Sequence, residues 1–231
     1  MENQTDVDTV FKDMPAAGFS DRPVPRSAIE QILDVARRAP SGVNTQPWNV
    51  FVLQGQARSA LLQAGAGAVP GLLGDAACQT GFWRQFNLQP GTGGWSWAGE
   101  EPAQQAPLSR AIGAPVAARA QAQAELLRYF RFFDAPVGLM FTIHRSLDLG
   151  SVLDYGMFLQ NITLAARARG LHSCLQTGWR GLADKVLPIL GAGEDMLVLG
   201  GMALGYADSS QAPVQGPSRR PPAGSFTTWH A

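Results

Sequence analysis

The segment from Leu149 to Arg169 carries apolar residues almost all the way round a helix: Val152, Leu153, Met157, Phe158, Leu159, Ile162, Leu164, Ala165 and Ala166. A helix that is apolar on every side must be buried on every side. In a chain of 231 residues this implies a central helix, covered by its own sheet on one side and by a partner subunit on the other. Gly170 follows it as a suitable C-cap. Around this helix, periodicity predicts helices over Val24–Arg38, Gln56–Ala66, Ala111–Phe132 and Leu182–Leu190, and strands over Asn49–Leu53, Pro136–Ile143, His172–Gln176 and Met196–Ala207. Helices alternating with strands in this order point to one α+β domain over residues 1–231, built round a mixed sheet. Residues 67–110 interrupt the pattern with Gly71, Gly74, Gly91, Gly93 and Gly94 among Trp83, Phe86, Trp95 and Trp97. An irregular insertion is expected there, of the kind that forms a lid or a binding loop. Trp95 and Trp97 are its candidates for closing over an aromatic substrate.

Charge narrows the function. Lysines and arginines number 18 and acidic residues 18, for a formal net charge of zero. That argues against nucleic acid or an anionic membrane as the main partner. No apolar run reaches the roughly 18 residues that span a bilayer. The N-terminus, with Glu2, Asp6 and Asp8, lacks the basic start of a secretory signal, so a cytoplasmic protein is expected. Cys78 and Cys174 make no disulfide framework. His172 and Cys174 would share one face of a strand, but a zinc site needs three or four ligands; no metal is expected, and Cys174 reads as a buried structural residue. Neither a nucleophile elbow nor a zinc-protease motif occurs, and no acid–base residue stands out.

The densest polar chemistry lies in Ala39-Pro40-Ser41-Gly42-Val43-Asn44-Thr45-Gln46-Pro47-Trp48. Pro40 ends the preceding helix, because proline disfavours helical backbone in the residue before it. Pro47 forces an extended entry into the strand at Asn49. Between them Ser41, Asn44, Thr45 and Gln46 supply hydrogen-bonding groups, and Gly42 permits close backbone approach. Such a loop at the mouth of a strand is suited to holding a polar ligand.

This stretch resembles the APSxxNxQPW signature of the nitroreductase family of FMN-dependent flavoproteins. Further blocks resemble the family in the same order: Phe133-Asp134-Ala135-Pro136-Val137-Gly138-Leu139, Asp154-Tyr155-Gly156-Met157-Phe158-Leu159-Gln160-Asn161, Gly201-Met202-Ala203-Leu204-Gly205-Tyr206, and Arg220 through Trp229. The resemblance implies a three-layer α/β/α sandwich with a mixed, mainly antiparallel sheet, assembled as a homodimer with active sites between the subunits. It implies FMN as cofactor, NAD(P)H as electron donor, and hydride transfer to a small conjugated acceptor such as a nitroaromatic, a quinone or an enone, or the reverse desaturation. By the same resemblance Pro40, Ser41, Gly42 and Asn44 line the flavin. Gln176, Thr177 and Gly178 pass its N5 edge, and Arg220 meets its phosphate.

One departure stands against the family pattern. Where family members carry an Arg-Ser-x-Arg or similar basic motif just before the phenylalanine corresponding to Phe19, this chain reads Met14-Pro15-Ala16-Ala17. Charge-assisted phosphate contacts contribute roughly 1.5–3 kcal/mol each. Losing two weakens FMN about a hundredfold or more. Three outcomes fit: compensation by Lys12, Arg37 or Arg219; weaker FMN binding; or a family member without FMN, acting as a cofactor-independent enzyme or small-molecule binding protein through the inter-subunit cleft.

Overall fold

The computed structural model describes residues 18–85, 111–208, 210 and 222–230. Its centre is a four-stranded sheet in the order β2-β3-β5-β4, formed by β2 (Asn49–Leu53), β3 (Val137–His144), β4 (His172–Gln176) and β5 (Met196–Gly205). Every pairing in it is antiparallel among the described residues. A two-stranded ribbon joins β1 (Gly18–Phe19) to β6 (Ala207–Asp208).

Alternation along β3 explains the layers. Val137, Leu139, Phe141 and Ile143 enter one cluster with Met202 and Leu204 of β5. Helices α1 (Arg26–Ala36) and α5 (Leu149–Arg167) cover that face through Ile29, Ile32, Tyr155, Phe158 and Ile162. Met140 and Ala203 point the other way, into a cluster with Leu61, Val69, Leu126, Phe130 and Trp179. That face is covered by α2 (Gly55–Gly74), α3 (Ala76–Arg84), α4 (Arg119–Tyr129) and α6 (Ala183–Leu190). Two helical layers on one sheet give the expected α/β/α sandwich.

Three predicted elements change. Residues 67–84 are helical rather than irregular, because α2 runs on to Gly74 and α3 follows. Leu61, Gly65, Val69 and Leu72 form its buried face. Gly65 sits so close to the neighbouring helix that an added Cβ would lie 2.7 Å from Phe130 Cβ; packing overrides the low helix propensity of glycine. The Asp75 side chain caps α3 by accepting from the Ala77 and Cys78 N–H groups. The helix expected over Ala111–Phe132 is interrupted: Ala111 and Ile112 are helical, Pro115 and a short 3-10 turn at Val116–Ala118 break it, and the main helix runs from Arg119. At its far end Phe132, Phe133 and Asp134 hold φ of 55°, 51° and 64°, a left-handed turn that no helix tolerates.

Helix α5 is buried on one side only. Tyr155, Phe158, Ile162, Ala165 and Ala166 face the sheet. Leu149, Val152, Leu153 and Met157 are 82%, 41%, 70% and 37% exposed, and Gly156 between them has open space beside it. The predicted inner cover is present, and the outer stripe is bare in the single chain. No helix among the described residues is long and apolar enough to cross a membrane.

Candidate functional site

Helix α5 builds the polar loop in place. Asp154 accepts the Gly42 N–H at 2.9 Å. The Tyr155 hydroxyl donates to the Asn49 carbonyl at 2.8 Å and accepts the Asn49 N–H at 3.2 Å. Phe158 stacks on Trp48 with ring centroids 4.9 Å apart and planes within 5°. Asn161 donates to the Ala36 carbonyl at 3.4 Å, tying the end of α1 to the same helix. Asp154, Phe158 and Asn161, spaced four and three apart on one helix, together with the buried Tyr155, thus fix the loop's start, its exit and the strand it feeds. Burial raises the Tyr155 pKa above the ordinary tyrosine value, so this phenol stays protonated and keeps its donor.

Inside the loop, Val43, Asn44 and Gln46 take φ of 46°, 59° and 47°. Left-handed backbone costs non-glycine residues about 1–3 kcal/mol each and persists only where the surroundings over-determine it. The constraints are visible: the Gln46 N–H donates to Ser41 Oγ at 3.0 Å, the Asn44 N–H to the Ser41 carbonyl at 2.9 Å, and the Thr45 hydroxyl to the Gly42 carbonyl. The result is an exposed turn whose Val43 N–H and Asn44 carboxamide have no hydrogen-bond partner among the described residues. Pro40 and Asn44 are exposed and Ser41 is half-buried.

The second predicted segment has a different character. Gln176 is fully buried; it donates to the Tyr129 carbonyl and accepts from Trp179 Nε1 at 3.4 Å. The Gly178 N–H donates to the Tyr129 hydroxyl at 2.8 Å. Only Thr177 of the three is exposed. Behind them Trp179 stacks on Phe132 at 5.0 Å and meets Phe130 edge-on at 5.1 Å. Gly201 makes room for it, since a Cβ there would lie 2.6 Å from Trp179 Cδ1. Burial, opposed in part by the Gly178 N–H, raises the Tyr129 pKa.

Strand register relates the two segments. Asn49 of β2 lies opposite Thr142, and Gln176 of β4 lies opposite Gly201, itself opposite Met140. The loop entering β2 and the turn leaving β4 therefore open from the same end of the sheet. They stand on opposite edges with β3 and β5 between them, about 14 Å apart at roughly 4.8 Å per strand. One chain does not bring them onto a common contact point.

Trp95, Trp97 and Arg220 lie outside the described residues, as do Lys12, Arg219 and Met14–Ala17. Arg37, the described candidate for compensation, is exposed and pairs with Asp34 on its own helix at 3.0 Å. His172 and Cys174 gather no further ligands: among the described residues no group of three or more His, Cys, Asp or Glu side chains could hold a metal. Burial pushes the Cys174 thiol up to about 12, and burial together with Arg167 lowers the His172 pKa. Sequence reading placed Asp154, Tyr155 and Phe158 in a family block and an apolar helix, without seeing their task. The usable signal was the one carboxylate in a largely apolar helix.

Residues 18–206 match the profile of the nitroreductase family. The chain is 37% identical over 205 residues to the nitrobenzene nitroreductase of Ectopseudomonas oleovorans, covering 88% of each chain. It is 37% identical over 212 residues to the chloronitrobenzene nitroreductase of Comamonas testosteroni, covering 92% of this chain and 91% of the relative. Its fold superposes on the solved FMN-dependent nitroreductase NfnB from Mycobacterium smegmatis, in complex with NADPH, with a TM-score of 0.77 and 27% identity over 97% of this chain and 98% of that one.

Proposed function

The chain belongs to the nitroreductase family and is an oxidoreductase of it, and on that premise we propose that it binds FMN and uses NAD(P)H to reduce small nitroaromatic compounds. The observation that carries the reading is the Ser41–Gln46 loop, whose left-handed backbone leaves Val43 and Asn44 exposed, with the Val43 N–H and the Asn44 carboxamide unpaired among the described residues. That donor set fits the neutral, hydrogen-bonding part of a flavin. It does not fit the phosphate, which needs cations. The phosphate falls to Arg220, with Arg219 and Lys12 as further cations, since Arg37 is paired with Asp34.

Bound FMN supplies the two-electron chemistry, and the protein supplies orientation and electrostatics. Pro40, Ser41, Gly42 and Asn44 form one wall of the site. Of the second wall, Gln176 and Gly178 are engaged with Tyr129, so ring contact falls to Thr177. Their hydrogen bonds to Tyr129 fix the turn from behind and keep Thr177 at the ring edge. The sheet-edge separation of the two walls supports a site completed by a second copy of the chain. The bare stripe of Leu149, Val152, Leu153 and Met157 on α5 is the surface that this homodimer would cover. Gly156 within the stripe leaves room for close helix approach.

Nitroaromatics are favoured over quinones or enones by the named activities of the two 37% identical relatives. Trp95 and Trp97 are assigned to cover the aromatic acceptor. Anaerobic assay of the FMN-supplemented protein should give nitrobenzene-dependent oxidation of NADPH, with one NADPH consumed per two-electron step. Replacing Trp95 and Trp97 together by alanine should raise KM for nitrobenzene with little change in KM for NADPH. NADPH oxidation indifferent to nitrobenzene would refute the acceptor assignment, and an unchanged KM would remove the lid. The second reading, a family member without FMN, rests on Met14-Pro15-Ala16-Ala17 in place of the basic motif.

A further inference from the structure

We propose that Asp154 is the positioning residue for the flavin-facing loop, an assignment that rests on the flavin reading above. The loop's internal hydrogen bonds run from Ser41 to Gln46 and close it on itself. They set its shape but not its place. Trp48 and Asn49, held by Phe158 and Tyr155, fix only its exit. Among the described residues, the one hydrogen bond joining the Ser41–Gln46 turn to the rest of the fold is Gly42 N–H to Asp154 Oδ2, across 112 positions of sequence.

Three features make this bond more than ordinary packing. Its acceptor is a carboxylate, and charge-assisted bonds are about twice as strong as neutral ones. Its donor immediately precedes Val43, a β-branched residue held at φ 46° and left fully exposed, with no packing of its own to stabilise that conformation. And Asp154 sits beside Leu153 on the half-buried helix, so the loop is referenced to the element whose outer stripe is bare. Holding the Gly42 N–H on Asp154 fixes the turn that leaves Val43 and Asn44 exposed. Without the carboxylate, the turn is free to relax toward ordinary backbone, and its donors are no longer preset for a ligand. Asp154 therefore acts through the loop and touches no reacting atom.

The test compares the parent chain with Asp154→Ala and Asp154→Asn by three measurements: FMN affinity from flavin fluorescence, melting temperature without FMN, and hydrogen exchange of the peptide spanning residues 41–46. Asp154→Ala is expected to weaken FMN about ten- to a hundredfold, the range of one lost charge-assisted bond. Exchange in the loop should accelerate, while the FMN-free melting temperature moves by no more than a few degrees. Asp154→Asn keeps an acceptor of the same size and should recover part of the affinity. FMN affinity of Asp154→Ala within twofold of the parent, together with unchanged loop exchange, overturns the assignment. If the parent itself binds no FMN, the flavin reading fails, and loop exchange still decides: acceleration supports Asp154 as the loop's anchor, and no change overturns it.

Discussion

Replacing Leu153 and Met157 together by glutamate should turn the proposed homodimer into monomers and leave each monomer folded. These side chains are 70% and 37% exposed in the single chain, so charges there cost a monomer little. In a two-fold interface each substitution occurs twice, placing four uncompensated charges in one apolar contact. Burying an unpaired charge costs several kcal/mol. Even about 1.4 kcal/mol for each of the four would weaken dimerisation by roughly four orders of magnitude. Sedimentation at micromolar concentration reads the result directly: the parent as a dimer, the variant as a monomer with unaltered far-ultraviolet circular dichroism. Flavin affinity should fall with the dimer, because the two proposed walls of the site stand on opposite sheet edges of one chain. A monomeric parent, or a variant that remains dimeric, would reject α5 as the interface.

Trp179→Ala carries the second large effect, this time on stability. Trp179 is fully buried, packed by Phe130 and Phe132, and its indole N–H meets Gln176 Oε1. Truncating a buried tryptophan costs about 3–5 kcal/mol, and this one also deprives a fully buried glutamine of a partner. Against a total of roughly 5–15 kcal/mol for a typical domain, the loss is a large fraction. At roughly 2–4 °C per kcal/mol for a chain of this size, melting should drop by about 6–20 °C. Trp179→Phe should keep much of the ring stacking and lose distinctly less. A melting temperature unchanged in Trp179→Ala would contradict the picture of a turn at Thr177 held from behind by an aromatic core.

Local sequence pattern carried much of this architecture. Pro40 closes the preceding helix through its effect on Ala39, a local restriction, whereas Gln46 before Pro47 takes φ of 47° rather than the extended backbone expected, held there by its N–H bond to Ser41 Oγ. The apolar periodicity of α1, α5 and the four strands is likewise local. What the pattern missed depends on tertiary contact. Gly65 looks like a helix breaker until Phe130 lies against it. Tyr129 looks like the end of an alanine-rich helix, yet its hydroxyl holds Gly178, 49 positions away. Asp154 reads as the one carboxylate in a largely apolar helix, and its role exists only once Gly42 is folded onto it. The left-handed turn at Phe132–Asp134 had no glycine to announce it. The missing cations were the reverse case: their absence from residues 14–17 is plain in the sequence, and its consequence is chemical.

That consequence is open to one direct measurement. Purified chain, stripped of any bound small molecule, is titrated with FMN while the visible absorption and flavin fluorescence are followed. One FMN per chain, with the yellow spectrum retained after gel filtration and FMN recovered on denaturation, is the expected result. A protein that stays colourless at excess FMN would contradict the account: the exposed Ser41–Gln46 loop would then serve some other ligand.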